Sequence, residues 1–176
     1  RSLSKQSAAV RSRQVSATAN YHYQLPLPTA TRTMISLLAN INGLLMVLIA
    51  LMHLYWAFGG RRGAEQAIPT GGEGKQRVFN PGPATFVVVI AGLFAFAACY
   101  FSAGFGFSLP FAKTGWAVAV PAFIFTARAI GDFRYVGFFK KIKDTVFGRF
   151  DTRYYSPLCL YLGVSSFVIT GYLTFA

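Results

Sequence analysis

Acidic side chains are scarce in this chain: five Asp and Glu stand against seventeen Lys and Arg in 176 residues. Charged residues of both signs make up only 12% of it, where a water-soluble domain carries about 25%. There are two cysteines, Cys99 and Cys159, and no Cys-x-x-Cys. A membrane thiol oxidoreductase needs a vicinal pair to shuttle electrons, so that class is disfavoured, and both thiols read as small hydrophobes. Of the two histidines, only His53 falls in an apolar run, while His22 lies in a basic tail. Haem held by two imidazoles is therefore not expected within this chain. No glycine-rich nucleotide loop, metal-ligand set or nucleophile–base–acid arrangement is present. These absences point away from an enzyme.

What the chain has in quantity is apolar sequence, 54% of all residues. It is gathered into four runs, roughly Met34–Phe58, Ala84–Leu109, Gly115–Gly131 and Ser156–Ala176. About 20 apolar residues coiled as a helix match the hydrocarbon thickness of a bilayer. The apolar residues come in blocks and not as a stripe at helical period, which argues against a soluble bundle whose helices keep one polar face. The expected fold is all-α: a polytopic membrane protein of four transmembrane helices over 34–176, preceded by a basic, acid-free, partly extended tail over 1–33.

A net charge of +12 raises the question of nucleic acid. Here the basic residues sit in the tail and loops that flank apolar spans, where Lys and Arg set orientation and meet anionic headgroups. Lipids are the expected partners, and nucleic acid is not. The tail is rich in Ser, Ala and basic side chains, the composition of an organelle transit peptide or its remnant. Tyr21-His-Tyr-Gln-Leu-Pro-Leu-Pro28 continues it as a Pro-stiffened extended segment. Loops one and three (Gly59–Pro83 and Asp132–Tyr155) carry more Lys and Arg than the tail's near end and loop two. They are assigned to the cytoplasmic, stromal or matrix side.

Several residues invite closer reading. Tyr55, Trp56, Tyr154 and Tyr155 suit the membrane–water interface as anchors, since their rings tolerate being half wet. Asn40 and Asn42 lie within span one, where interhelical hydrogen bonding is the expected role. Span two is rich in Gly and Ala, which let helices approach closely. Pro121 should kink span three. In loop three, Phe138, Phe139, Ile142 and Val146 alternate with Lys140, Lys141, Lys143 and Asp144, a pattern that fits an interfacial helix.

Arg128, near the end of span three, is the costliest residue to place in lipid. Asp132 follows four residues later, so a continuing helix would put the two on one face as an ion pair. That pair reads as a structural staple at the membrane boundary, with Arg128 snorkelling, or as an ion or headgroup site. The staple is the favoured reading. His53 also has two readings: an imidazole hydrogen-bonded to a neighbour, or the axial ligand of one pigment.

Four segments together resemble a known family. They are His53-Leu-Tyr-Trp56, Phe79-Asn-Pro-Gly-Pro83, Arg128-Ala-Ile-Gly-Asp-Phe-Arg-Tyr-Val-Gly-Phe138 and Asp151-Thr-Arg-Tyr-Tyr-Ser-Pro-Leu158. The chain is similar over roughly Gly43–Ala176 to the DUF3995 family of small bacterial integral membrane proteins. The resemblance implies four helices and no particular activity, substrate or cofactor. The tail departs from the family pattern and looks like an organelle-targeted addition.

The leading functional expectation is a non-enzymatic accessory subunit of a large organellar energy-transducing complex. Eighteen Phe offer flat surfaces to other helices, lipids, carotenoids or chlorophylls. His53 suits one chlorophyll better than a haem, which favours a photosystem in the plastid thylakoid over a respiratory complex of the mitochondrial inner membrane. Partners would be other membrane subunits and pigments. The alternative is a stand-alone small transporter or lipid-binding protein, with Arg128, Asp132, Arg134 and Asn42 lining a polar pocket.

Overall fold

The computed structural model describes residues 29–71, 78, 80–107, 109 and 115–175. Helix α1 runs Thr29–Ala57, the short α2 Ala64–Ala67, α3 Pro83–Phe105 and α4 Trp116–Ile130. Helix α5, Val146–Phe150, passes through a π-turn at Asp151–Tyr155 into α6, Ser156–Phe175. The last three segments form one continuous helix of 30 residues. Most of the expected tail, and parts of loops one and two, lie outside the described residues. Thr29–Thr33, assigned to the tail, form the first turn of α1.

Among the described residues, three helices are long and apolar enough to cross a membrane: α1, α3 and Val146–Phe175. Helix α4 is shorter, at 15 residues; at 1.5 Å per residue it spans about 22 Å. The interior holds Met46, Tyr100, Leu162 and Ile169, yet much bulky apolar surface is left outside. Large apolar side chains such as Leu37, Val88, Phe123 and Val164 point outward, while Ala39, Ala50, Ala97, Ala122, Asn42 and Ser166 are buried. Small and polar residues inside with bulky apolar ones outside suit a hydrocarbon solvent, in which close packing and hydrogen bonds hold helices together.

Helix α6 is central to the bundle. It packs most extensively on α4, and the contact depends on Gly163: a Cβ there would lie 2.3 Å from Thr126 Oγ1 and 3.0 Å from the Thr126 backbone nitrogen. Asn42 on α1 donates to Ser165 Oγ at 2.8 Å. Tyr100 on α3 bonds to Ser166, which itself donates to the Leu162 carbonyl. Buried polar side chains thus tie α1 and α3 to the same turn of α6. Asn42 fills its expected interhelical role, whereas the buried Asn40 Oδ1 has no hydrogen-bond partner among the described residues.

Each helix ends for a local reason. Pro83 opens α3, where its missing N–H costs nothing. Gly106, at φ 76°, closes α3 by donating to Ser102 O at 2.9 Å. The π-turn sits just before Pro157. A proline inside a helix removes a donor, and its ring crowds the carbonyl four residues back, here that of Arg153. Widening the turn relieves that conflict, with the Ser156 N–H bonding to Asp151 O, five residues back.

Loop three does not form the expected interfacial helix. Gly131, Phe133 and Gly137 have φ of 93°, 62° and 87°, so right-handed helix does not run on from α4 into the loop, and residues 138–145 are turns, bends and irregular backbone. The segment folds as successive turns, and the helix resumes at Val146 behind the Thr145 cap, whose side chain accepts from Gly148 N at 2.9 Å. The two glycines meet face to face. A Cβ on Gly131 would lie 1.7 Å from Val136 O, and one on Gly137 2.4 Å from Ile130 O. Helix α2 of loop one packs against α5 at the end of loop three. The two loops therefore occupy the same end of the bundle.

Candidate functional site

The most organised polar site is built on Asp151, fully buried at the start of the π-turn. Its Oδ1 accepts from Arg128 Nη2 at 2.8 Å. Its Oδ2 accepts from Gly137 N at 2.9 Å, Lys140 Nζ at 2.9 Å and Ser156 Oγ at 3.0 Å. Lys140 is as buried as its partner. All of its ammonium protons are used, on Asp151, Gly137 O at 3.0 Å and Thr152 Oγ1 at 2.7 Å. Thr152 in turn donates to Gly148 O at 3.0 Å. A buried charge is tolerated only when paired and hydrogen-bonded in this manner. The cluster ties the end of α4, loop three and the π-turn together.

The expected pair of Arg128 with Asp132 does not form. Helix α4 ends at Ile130 and the left-handed Gly131 turns the chain away, so residue 132 leaves the helical face on which a four-residue spacing would count. Asp132 Oδ1 instead accepts from the backbone N–H groups of Arg134, Tyr135 and Val136, at 2.9, 2.7 and 2.9 Å. Burial pushes its pKa up, but these backbone donors outweigh that effect and hold the carboxyl below the usual aspartate range. Arg128 pairs instead with Asp151, 23 residues away.

A second site surrounds His53, one turn before the end of α1. Its Nδ1 donates to Ile49 O at 2.8 Å. In the neutral ring that bond fixes the tautomer and leaves the lone pair on Nε2. The imidazole meets the Trp56 ring edge-on at 5.4 Å. Beside it is a cavity of about 350 Å³ bounded by Trp56, Ile68, Pro69, Asn80, Phe86 and Val89, from α1, loop one and α3. Trp56 Nε1 donates to Arg62 O at 3.0 Å, and Tyr55 OH accepts from Arg62 N at 3.3 Å, so both rings pin the loop to the helix end. Tyr154 is exposed against Phe150, and Tyr155 packs on Phe147.

The family profile described as Protein of unknown function (DUF3995) matches residues 46–166. The chain belongs to the DUF3995 family. No curated protein and no solved structure matches it. The DUF3995 match contains His53 and the whole Arg128–Lys140–Asp151 cluster, while Asn42 and Asn40 precede it.

Within this DUF3995 chain the residues expected to line a transport pocket have separate partners. Asn42 is bound to Ser165, Arg128 to Asp151 and Asp132 to backbone amides, and Arg134 lies over the Tyr135 ring at 5.3 Å. Cys99 and Cys159 are both free thiols. The expected interfacial helix has Lys140 among its polar residues, whereas the structure buries Lys140 against Asp151. Their pairing depends on the fold of loop three and has no signature in local spacing.

Proposed function

We propose that this DUF3995 protein is a non-enzymatic accessory subunit of a pigment-carrying, energy-transducing membrane complex, a photosystem, in which His53 is the axial ligand of one chlorophyll. In this reading α4 is the fourth crossing, and the thylakoid is the membrane.

The observation that carries the proposal is the state of the His53 ring. A histidine that binds a metal through one nitrogen characteristically donates the other N–H to a carbonyl, which fixes its tautomer and orientation. Nδ1 makes that bond to Ile49. The donor fits the group: with Nδ1–H bonded to Ile49 O, Nε2 is the ring nitrogen left to ligate a chlorophyll magnesium. The cavity of about 350 Å³ is at the small end of the range for ligand sites. Bound there, the chlorophyll supplies light absorption. The chain holds its metal through Nε2, borders it with Trp56 and Phe86, and presents exposed Phe94, Phe105 and Phe123 to further pigments such as carotenoids or to neighbouring subunits.

The test is purification from native membranes in mild detergent. The expected result is migration within a large pigmented particle, and loss of about one chlorophyll per chain in His53→Leu with the particle otherwise intact. A chain that runs alone and colourless overturns the proposal.

A further inference from the structure

The Arg128–Lys140–Asp151 cluster carries two cations against one anion. Lys140 spends its three donors on three acceptors, so the surplus positive charge rests on Arg128. Only Nη2 of that guanidinium is engaged by Asp151. Nη1 is enclosed and has no acceptor among the described residues, while the side chain as a whole is 32% exposed. An anionic oxygen that meets the exposed part of the Arg128 side chain balances the surplus positive charge of the cluster, without reaching the enclosed Nη1. Arginine is the side chain best suited to such a contact, since its planar fork matches phosphate. The surroundings attract anions as well: from Arg128 to Arg153 there are seven basic and three acidic residues.

Next to this cluster is an apolar groove of about 390 Å³, lined by Phe138, Pro157, Leu160, Tyr161, Val164 and Ser165. Its α6 members recur three and four residues apart and so form one stripe, about 12 Å from end to end. Phe138 joins the two features. Its backbone N–H donates to Ala129 O at 2.9 Å, one residue from Arg128, and its side chain borders the groove. A free inorganic anion has no use for an apolar channel beside its site. A lipid has a phosphate for the first feature and a chain for the second.

We propose that this face binds one anionic phospholipid, its phosphate against Arg128 and one acyl chain in the groove from Phe138 along α6. The site is independent of His53 and of any pigment.

Native mass spectrometry of the full chain in detergent tests it, with phosphatidylglycerol, phosphatidylcholine of the same chains and inorganic phosphate as probes. One phosphatidylglycerol per chain is expected, bound about tenfold more tightly than phosphatidylcholine and undisturbed by millimolar phosphate. Arg128→Gln should cost about tenfold in phosphatidylglycerol affinity. Val164→Trp fills the groove from an outward-facing position, and should cost a similar factor with the unfolding midpoint unchanged. Equal affinity for the two lipids overturns the proposal. So does full displacement by phosphate, which would mark a free-anion site, or wild-type lipid binding by Val164→Trp. Should Arg128→Gln fail to fold, the lipid comparison and Val164→Trp decide.

Discussion

Lys140 and Asp151 form an ion pair sealed from solvent: Nζ and Oδ2 stand 2.9 Å apart, and both side chains have no exposed surface. The pair ties a loop of left-handed turns to the π-turn that begins the last membrane helix. Desolvating two charges is costly, and it is offset here because every ammonium proton and both carboxylate oxygens have partners.

Removing the carboxylate should therefore be the most damaging change in the cluster. Asp151→Asn leaves the buried Lys140 without its counter-ion, and a cost of about 3–5 kcal/mol is expected. Lys140→Met should cost less, because Asp151 keeps Arg128, Gly137 and Ser156. Unfolding of the two variants in detergent micelles checks the order.

Asp132 should contribute stability that depends on pH in a defined direction. Its folded pKa is lowered by the amides of Tyr135, Val136 and Arg134 against the opposing effect of burial. A depressed carboxylate stabilises the fold fully above its unfolded value of about 3.9 and loses that effect as pH falls through the lower folded value. The stability gap between wild type and Asp132→Ala should be constant from neutral pH to mild acid and shrink below the ordinary aspartate range. A gap that widens on acidification contradicts the assignment.

Two glycines should resist even alanine. Gly163→Ala places a methyl group against Thr126 and should cost about 1–3 kcal/mol by overpacking the α4–α6 contact. Gly137→Ala should be worse, since it combines φ of 87° with a Cβ only 2.4 Å from a backbone oxygen that cannot swing aside. Gly92→Ala meets open space and is the matched control. Unfolding midpoints and expression in membranes rank the three.

The helices were legible because hydropathy is a local property. Runs at Met34–Phe58 and Ala84–Leu109 anticipate α1 and α3 within a few residues of their observed ends. The ion cluster was not legible. A spacing of four between Arg128 and Asp132 implies a pair only while the helix continues, and Gly131 ends it. The alternation of Phe and Lys over 138–143 imitates an amphipathic helix, but the chain there runs as turns and bends that carry Lys140 inward to Asp151. One clue was available: Asp151 is an acid beside an apolar run, where an unpaired carboxylate is costly. Nothing in the sequence says that its partners are Arg128 and Lys140. The interhelical role of Asn42 was readable from its place in a span; its partner Ser165, 123 residues away, was not.

The pigment assignment meets its most direct test in a high-resolution map of the native particle around His53. A ring metal within coordination distance of Nε2, with Nδ1 still bonded to Ile49 O, is the expected result. A protein or water hydrogen bond at Nε2, with only lipid density beyond it, contradicts the assignment.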